Sequence, residues 1–183
     1  MRQISDLMLI IYDVLGIKGK NHPILVSGVR TKYNPVENII YVRSIGFPTI
    51  IHEIGHEAVH YLQHTENRLK PYDRMDIEKF RGKKEGMFCK YDFEREAIAF
   101  SWVLALKLNE YFFSAREDIK QQYKYHKNFY SSMVQLRITD VTNEIVMEEL
   151  QMKLDLAYDR AKAKYIGLIE NKRQEFINWY TES

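Results

Sequence analysis

The sequence predicts an α+β fold that is mainly helical and contains a small antiparallel sheet. Two short segments rich in β-branched residues, 24–29 and 38–43, predict the strands. An amphipathic segment at 49–63 carries three histidines and two glutamates, and most of the chain beyond residue 92 has apolar residues at helical spacing. We therefore expect a small sheet, a metal-binding helix, a second helix that carries a ligand glutamate, and a helical C-terminal half.

Composition limits the class of protein. A chain of 183 residues has the length of one domain, and its net charge of +2 is too small to indicate nucleic-acid binding. Cys89 is the only cysteine, which excludes an intrachain disulfide and fits a reducing compartment. The apolar residues 7–11 are flanked by Asp6 and Asp13, a pattern typical of an amphipathic helix and not of a signal peptide or membrane span. We expect a cytoplasmic protein that does not enter a membrane; composition indicates no oligomeric state.

The N-terminal part predicts one helix and then the sheet. Residues 3–16 have apolar side chains at helical spacing and predict the first helix. Residues 24–29 and 38–43 predict the two strands, and Asn34 with Pro35 marks a turn between them. An edge of such a sheet could accept an extended peptide through main-chain hydrogen bonds, although the sheet could equally serve only to cover the next helix.

That next helix, at 49–63, contains two overlapping copies of the pattern H-E-x-x-H. The first copy is 52–56 and the second is 56–60, so His56 belongs to both. Residues four apart lie on one face of a helix, where two imidazoles can bind the same metal ion. The glutamate of each copy lies about 100° around the helix, from where it can act on a water molecule at the metal.

A helical projection helps to choose between the two copies. With about 100° per residue, the apolar side chains fill one half of the helix. His52 and His56 lie beside the edge of that half, whereas His60 lies further into the polar face. Because zinc ligands are half-buried and oriented by neighbouring groups, the first copy is favoured, with His52 and His56 as ligands and Glu53 as the general base. The alternative, with Glu57 and His60, remains open.

The second helix of the predicted site follows an irregular segment at 65–91, and Asp92 is its expected N-cap. Glu94, Ala97 and Ser101 share one face of this helix. Small residues on that face allow close approach to the histidine helix, so we expect Glu94 to be the third metal ligand. Glu96 points about 160° away, so only one of the two glutamates can bind the metal. The alternative is that both only interact favourably with the helix dipole.

The C-terminal part, residues 114–183, is predicted to be a helical extension packed on a core formed by residues 1–113, in one compact domain. Residues 140–179 predict one or two long helices. Their apolar residues form a stripe at a spacing of three and four: Leu150, Leu154, Ala157, Ala161, Tyr165, Leu168 and Ile169. Such a stripe is typical of a helix that packs on its own domain, although it could also dock a partner helix.

The histidine helix and the glutamate helix resemble those of gluzincin-type zinc peptidases. FPTIIHEIGHEAVH at 47–60 and EREAIAF at 94–100 look like the paired motifs of the ImmA/IrrE-like group of phage and mobile-element metallopeptidases. The resemblance implies a zincin-like core, a Zn²⁺ cofactor and hydrolysis of a protein or peptide. Carried over by position, His52, His56 and Glu94 would be the zinc ligands and Glu53 the general base.

The chain departs from that pattern in two ways. Ile98 stands where the group has Asn or Asp, so a hydrogen bond that orients a ligand histidine is in doubt. Residues 56–63 also match an H-E-x-x-H-x-x-Q variant found in other phage zincin-like proteins, which would move the site by one turn to Glu57 and His60, with Glu96 as a candidate carboxylate. The first departure gives weight to a rival function, a zincin-like binding or regulatory module with a weak or inactive metal site. A purely structural zinc site is a second rival.

Overall fold

The computed structural model describes residues 2–19, 21–44, 49–69, 91–113 and 144–182. Within these ranges the fold is α+β and mainly helical, as predicted. The elements in chain order are α1 (Arg2–Leu15), β1 (Ile24–Ser27), β2 (Lys32–Asn34), β3 (Ile39–Val42), α2 (Thr49–Thr65), α3 (Asp92–Phe113), α4 (Glu144–Asn171) and α5 (Arg173–Thr181). The histidine helix is α2, and the glutamate helix is α3.

The sheet differs from the antiparallel pair that the sequence predicts. It has three strands in the order β1-β3-β2; β1 runs parallel to β3, and β2 runs antiparallel to it. β2 was not predicted, because a strand of three residues ahead of Pro35 is too short to show a period. Tyr33 pairs with Ile40 in the centre of β2. Since β2 is an edge strand, one side of its main chain faces away from the sheet, toward α2.

Helices α2 and α3 cross closely at a glycine. A Cβ built on Gly55 would lie 3.1 Å from Leu104 Cδ2 and 3.6 Å from Ser101 Cα. Ala97 and Ser101 are fully buried on the facing side of α3. The small residues therefore allow the close approach that the sequence predicted, and this approach brings the first turn of α3 to the side of α2.

The C-terminal helices pack on α3 through aromatic residues. The ring of Phe100 meets that of Tyr165 of α4 edge-on, at a centroid distance of 4.9 Å. Phe112 stacks on Tyr180 of α5 at 4.2 Å. On α4, Leu154, Ala161, Tyr165 and Ile169 of the predicted stripe are buried, Ala157 is partly buried and Leu168 is 44% exposed. One hydrophobic core therefore includes residues of α1, the sheet, α2, α3, α4 and α5.

Several predictions lie outside the described residues: most of the irregular segment at 65–91, with Cys89, and the helical character of 115–136. The side chain of Leu150 is likewise not described. Within the described ranges, no helix combines the length and the apolar character that crossing a membrane requires.

Candidate metal centre

Two histidines of α2 and one glutamate of α3 converge on a single point. His56 Nε2 lies 2.9 Å from His60 Nε2, and the carboxylate of Glu94 lies 3.2 Å from the first and 3.4 Å from the second. The three side chains are 12%, 0% and 8% exposed, in the same order. They are the one group of three or more potential metal ligands among the described residues. Such a buried His-His-Glu group could hold a metal ion.

Electrostatics at this point favour a bound cation. Burial lowers the pKa of His56, and the neighbouring His60 lowers it further, which favours the neutral ring that a metal ligand needs. Burial alone would raise the pKa of Glu94, but the charge of His60 and the hydrogen bonds of both imidazoles hold it well below its usual range. Two ring nitrogens and a carboxylate that face one another need a positive charge between them, either a proton or a metal ion.

A glutamine one turn further along α2 holds the ring of His60. Gln63 is fully buried, and its Oε1 lies 2.9 Å from His60 Nδ1. Its amide nitrogen donates to the main-chain oxygen of Phe93 at 2.9 Å and to the carboxylate of Glu96 at 2.8 Å. Glu96 in turn accepts a hydrogen bond from Arg68 at 2.6 Å. A chain of hydrogen bonds therefore connects the buried His60 to the protein surface.

Comparison with protein-family models, with curated proteins and with solved structures finds no match. The chemistry of the site is therefore inferred from the geometry and the donor set of its own residues.

The glutamate of the second copy lies buried beside the sheet. Glu57 is 5% exposed, and its Oε2 accepts a hydrogen bond of 2.7 Å from the main-chain N–H of Tyr33 in β2. Burial and His60 lower the pKa of His56, and the charge of this carboxylate offsets a small part of that lowering. Glu57 is therefore anchored to the edge strand, from the position in α2 that directly follows His56.

The glutamate of the first copy has different partners. Glu53 accepts two hydrogen bonds from the guanidinium of Arg43, one of them from Nε at 3.1 Å, and a third from the hydroxyl of Thr31 at 2.5 Å. Its side chain is 20% exposed and that of Arg43 is 43% exposed. These contacts tie α2 to the loops around β2 and β3. Among the described residues, the metal-capable group does not include Glu53.

The structure thus combines parts of the two sites that the sequence left open. It brings His56 and Glu94 of the favoured assignment together with His60 of the alternative. His52, which is 6% exposed, is outside this group, as is Glu96, which faces Arg68 and Gln63. The helical projection placed His60 on the polar face, but the first turn of α3 covers that face, and the ring of Phe93 meets the ring of His60 at a centroid distance of 6.0 Å.

Proposed function

We propose that the protein is a zinc-dependent hydrolase of peptide bonds whose ligands are His56, His60 and Glu94. The observation that carries the proposal is the convergence of two Nε2 atoms and one carboxylate at a buried point, with a glutamate next to one of the histidines in sequence. Two imidazoles and one carboxylate are the protein ligands of many catalytic zinc sites, in which a fourth position is left to water or substrate. The residues therefore fit a catalytic zinc ion in kind and in number.

Zinc bound there would polarise the scissile carbonyl and lower the pKa of the attacking water toward neutrality. Glu57 is the residue that we assign as general base, in place of Glu53. Its hydrogen bond from the Tyr33 N–H fixes one carboxylate oxygen and thereby the orientation of the group. Glu57 then takes the proton from the attacking water and delivers it to the leaving amine, as general acid–base catalysis requires. Because little solvent screens a buried carboxylate, its negative charge would attract the proton of the attacking water more strongly.

A peptide substrate is supported by the ligand set. Two imidazoles and one carboxylate, with a glutamate directly after the first histidine of an H-E-x-x-H pattern, are the residues that zinc sites for peptide hydrolysis use. β2 does not offer the substrate a free edge beside His56, because the N–H of Tyr33 already donates to Glu57.

The proposal is tested by zinc analysis and by a cleavage assay on a peptide library. We expect one zinc ion per chain, lost in His60→Ala and retained in His52→Ala. Glu57→Gln should keep zinc but reduce cleavage by about 100- to 10,000-fold, the contribution that a general base makes. Glu53→Gln is the matched control, one turn earlier on the same helix, and should keep both zinc and cleavage.

Loss of cleavage in Glu53→Gln together with full activity in Glu57→Gln would return the site to the first copy. Zinc binding without cleavage of any library member would instead support the binding-module alternative.

A further inference from the structure

Gln63 positions two of the three metal donors at once. From its contacts we infer that this residue fixes the orientation and the proton position of His60 and also docks the turn of α3 that presents Glu94. The inference rests on the proposed metal site, but it concerns a residue outside the ligand set. Gln63 is fully buried, so its amide must find partners inside the protein, and all of the partners described above lie at the metal group or next to it in sequence.

The partners of the Gln63 amide nitrogen settle which way the side chain faces. That nitrogen lies within hydrogen-bonding distance of a main-chain oxygen and of a carboxylate, and neither group can donate. The amide oxygen must therefore be the atom 2.9 Å from His60 Nδ1, and an amide oxygen can only accept. His60 consequently carries a proton on Nδ1, so Nε2, the atom that faces His56 and Glu94, is the nitrogen left for a metal ion.

The same amide also positions the carboxylate ligand. Its two acceptors, the main-chain oxygen of Phe93 and the side chain of Glu96, lie one residue before and two residues after Glu94. Gln63 therefore links α2 to both sides of the ligand in the first turn of α3. Within the described residues, the Nδ1 atom of His56 has no hydrogen-bond partner, so the orienting contact of the histidine pair is made at His60 alone.

The test replaces Gln63 by residues that remove its hydrogen bonds in different combinations. Gln63→Met keeps the length of the side chain and removes every hydrogen bond that the side-chain amide makes. Zinc affinity, measured by competition with a chromogenic chelator, should fall by about 10- to 100-fold, the usual effect of losing an orienting partner. Gln174→Met, the same change at an exposed position of α5, is the matched control and should leave zinc affinity unchanged. Circular dichroism of the metal-free proteins checks that each variant folds.

Gln63→Glu should also weaken zinc binding. It keeps an acceptor for His60 but places a second carboxylate against Glu96. Adding Glu96→Gln restores a donor at that contact, so the double variant should bind zinc more tightly than Gln63→Glu alone.

The proton on His60 provides a measurement that needs neither metal nor variant. Nitrogen NMR of the metal-free wild type should show a proton on Nδ1 of this ring.

An Nε2–H tautomer, or a folded Gln63→Met variant that binds zinc within twofold of the wild type, would overturn the inference while leaving the metal site intact. A double variant that binds zinc no better than Gln63→Glu would overturn the docking of Glu94. A wild type that binds no zinc would instead overturn the proposed function, and the tautomer would still decide the role of Gln63.

Discussion

The crossing of α2 and α3 at Gly55 can be tested by adding a single methyl group. In Gly55→Ala the new Cβ would lie 3.1 Å from Leu104 Cδ2, whereas apolar carbons pack comfortably at about 3.5–4.0 Å. Leu104 is fully buried and cannot turn toward solvent. Overpacking of this kind costs about 1–3 kcal/mol, while the gain in helix propensity on replacing glycine by alanine is about 1 kcal/mol. We therefore expect Gly55→Ala to lower the free energy of unfolding by up to about 2 kcal/mol.

Gly167→Ala in α4 is the matched control, because a Cβ there would meet nothing within 4 Å. This variant should gain about 0.5–1 kcal/mol of stability from helix propensity. Urea unfolding of the metal-free proteins measures both changes. Adding Leu104→Val to Gly55→Ala removes the Cδ atom that the new methyl group meets. The two substitutions together should therefore cost less stability than the sum of their separate costs, by about 0.5 kcal/mol or more. Equal stabilisation by the two alanine substitutions would refute the close crossing.

Three further predictions concern the surroundings of the site. Phe100→Ala should cost about 3–5 kcal/mol in urea unfolding, because it removes a fully buried ring that contacts α4; a cost below about 1 kcal/mol would contradict that packing. Tyr33→Phe should cost about 0.5–1.5 kcal/mol, since it removes the part-buried hydrogen bonds of the tyrosine hydroxyl with His64 and Asn38. Zinc affinity should not change, because Glu57 is bonded to the main chain of Tyr33. Burial raises the pKa of Glu96, but the hydrogen bonds from Arg68 and Gln63 lower it by more, so the pKa lies below its usual value of 4.5. Its contribution to stability is therefore present above that value and lost as the pH falls through the folded pKa; Arg68→Gln should flatten this acid dependence, and an unchanged pH profile would contradict it.

Local patterns on the helices predicted much of the fold and part of the site. The spacing of the two H-E-x-x-H copies located the helix that supplies both histidines of the metal-capable group, and the small residues Ala97 and Ser101 predicted the close approach that brings Glu94 into that group. The sequence could not show which of the two copies supplies the histidines of the group, because that depends on which face of α2 another element covers. The helical projection places His60 on the polar face of α2, and yet the residue is fully buried, since α3 lies over it.

Contacts between distant segments were equally invisible to sequence patterns. Arg43 pairs with Glu53 from a position after β3, and the N–H of Tyr33 reaches Glu57 from a strand of three residues. A main-chain donor has no sequence signature. For Gln63 a signal was present in the motif spacing at 56–63, but its partners Phe93 and Glu96 become visible only once α2 and α3 are packed.

Anomalous diffraction at the zinc absorption edge, from crystals of the zinc-loaded protein, is the most direct test of the site. We expect one peak at about 2.0–2.2 Å from His56 Nε2, from His60 Nε2 and from a carboxylate oxygen of Glu94. A peak at His52 with His60 outside the coordination sphere, or no peak near these three side chains, would contradict that expectation.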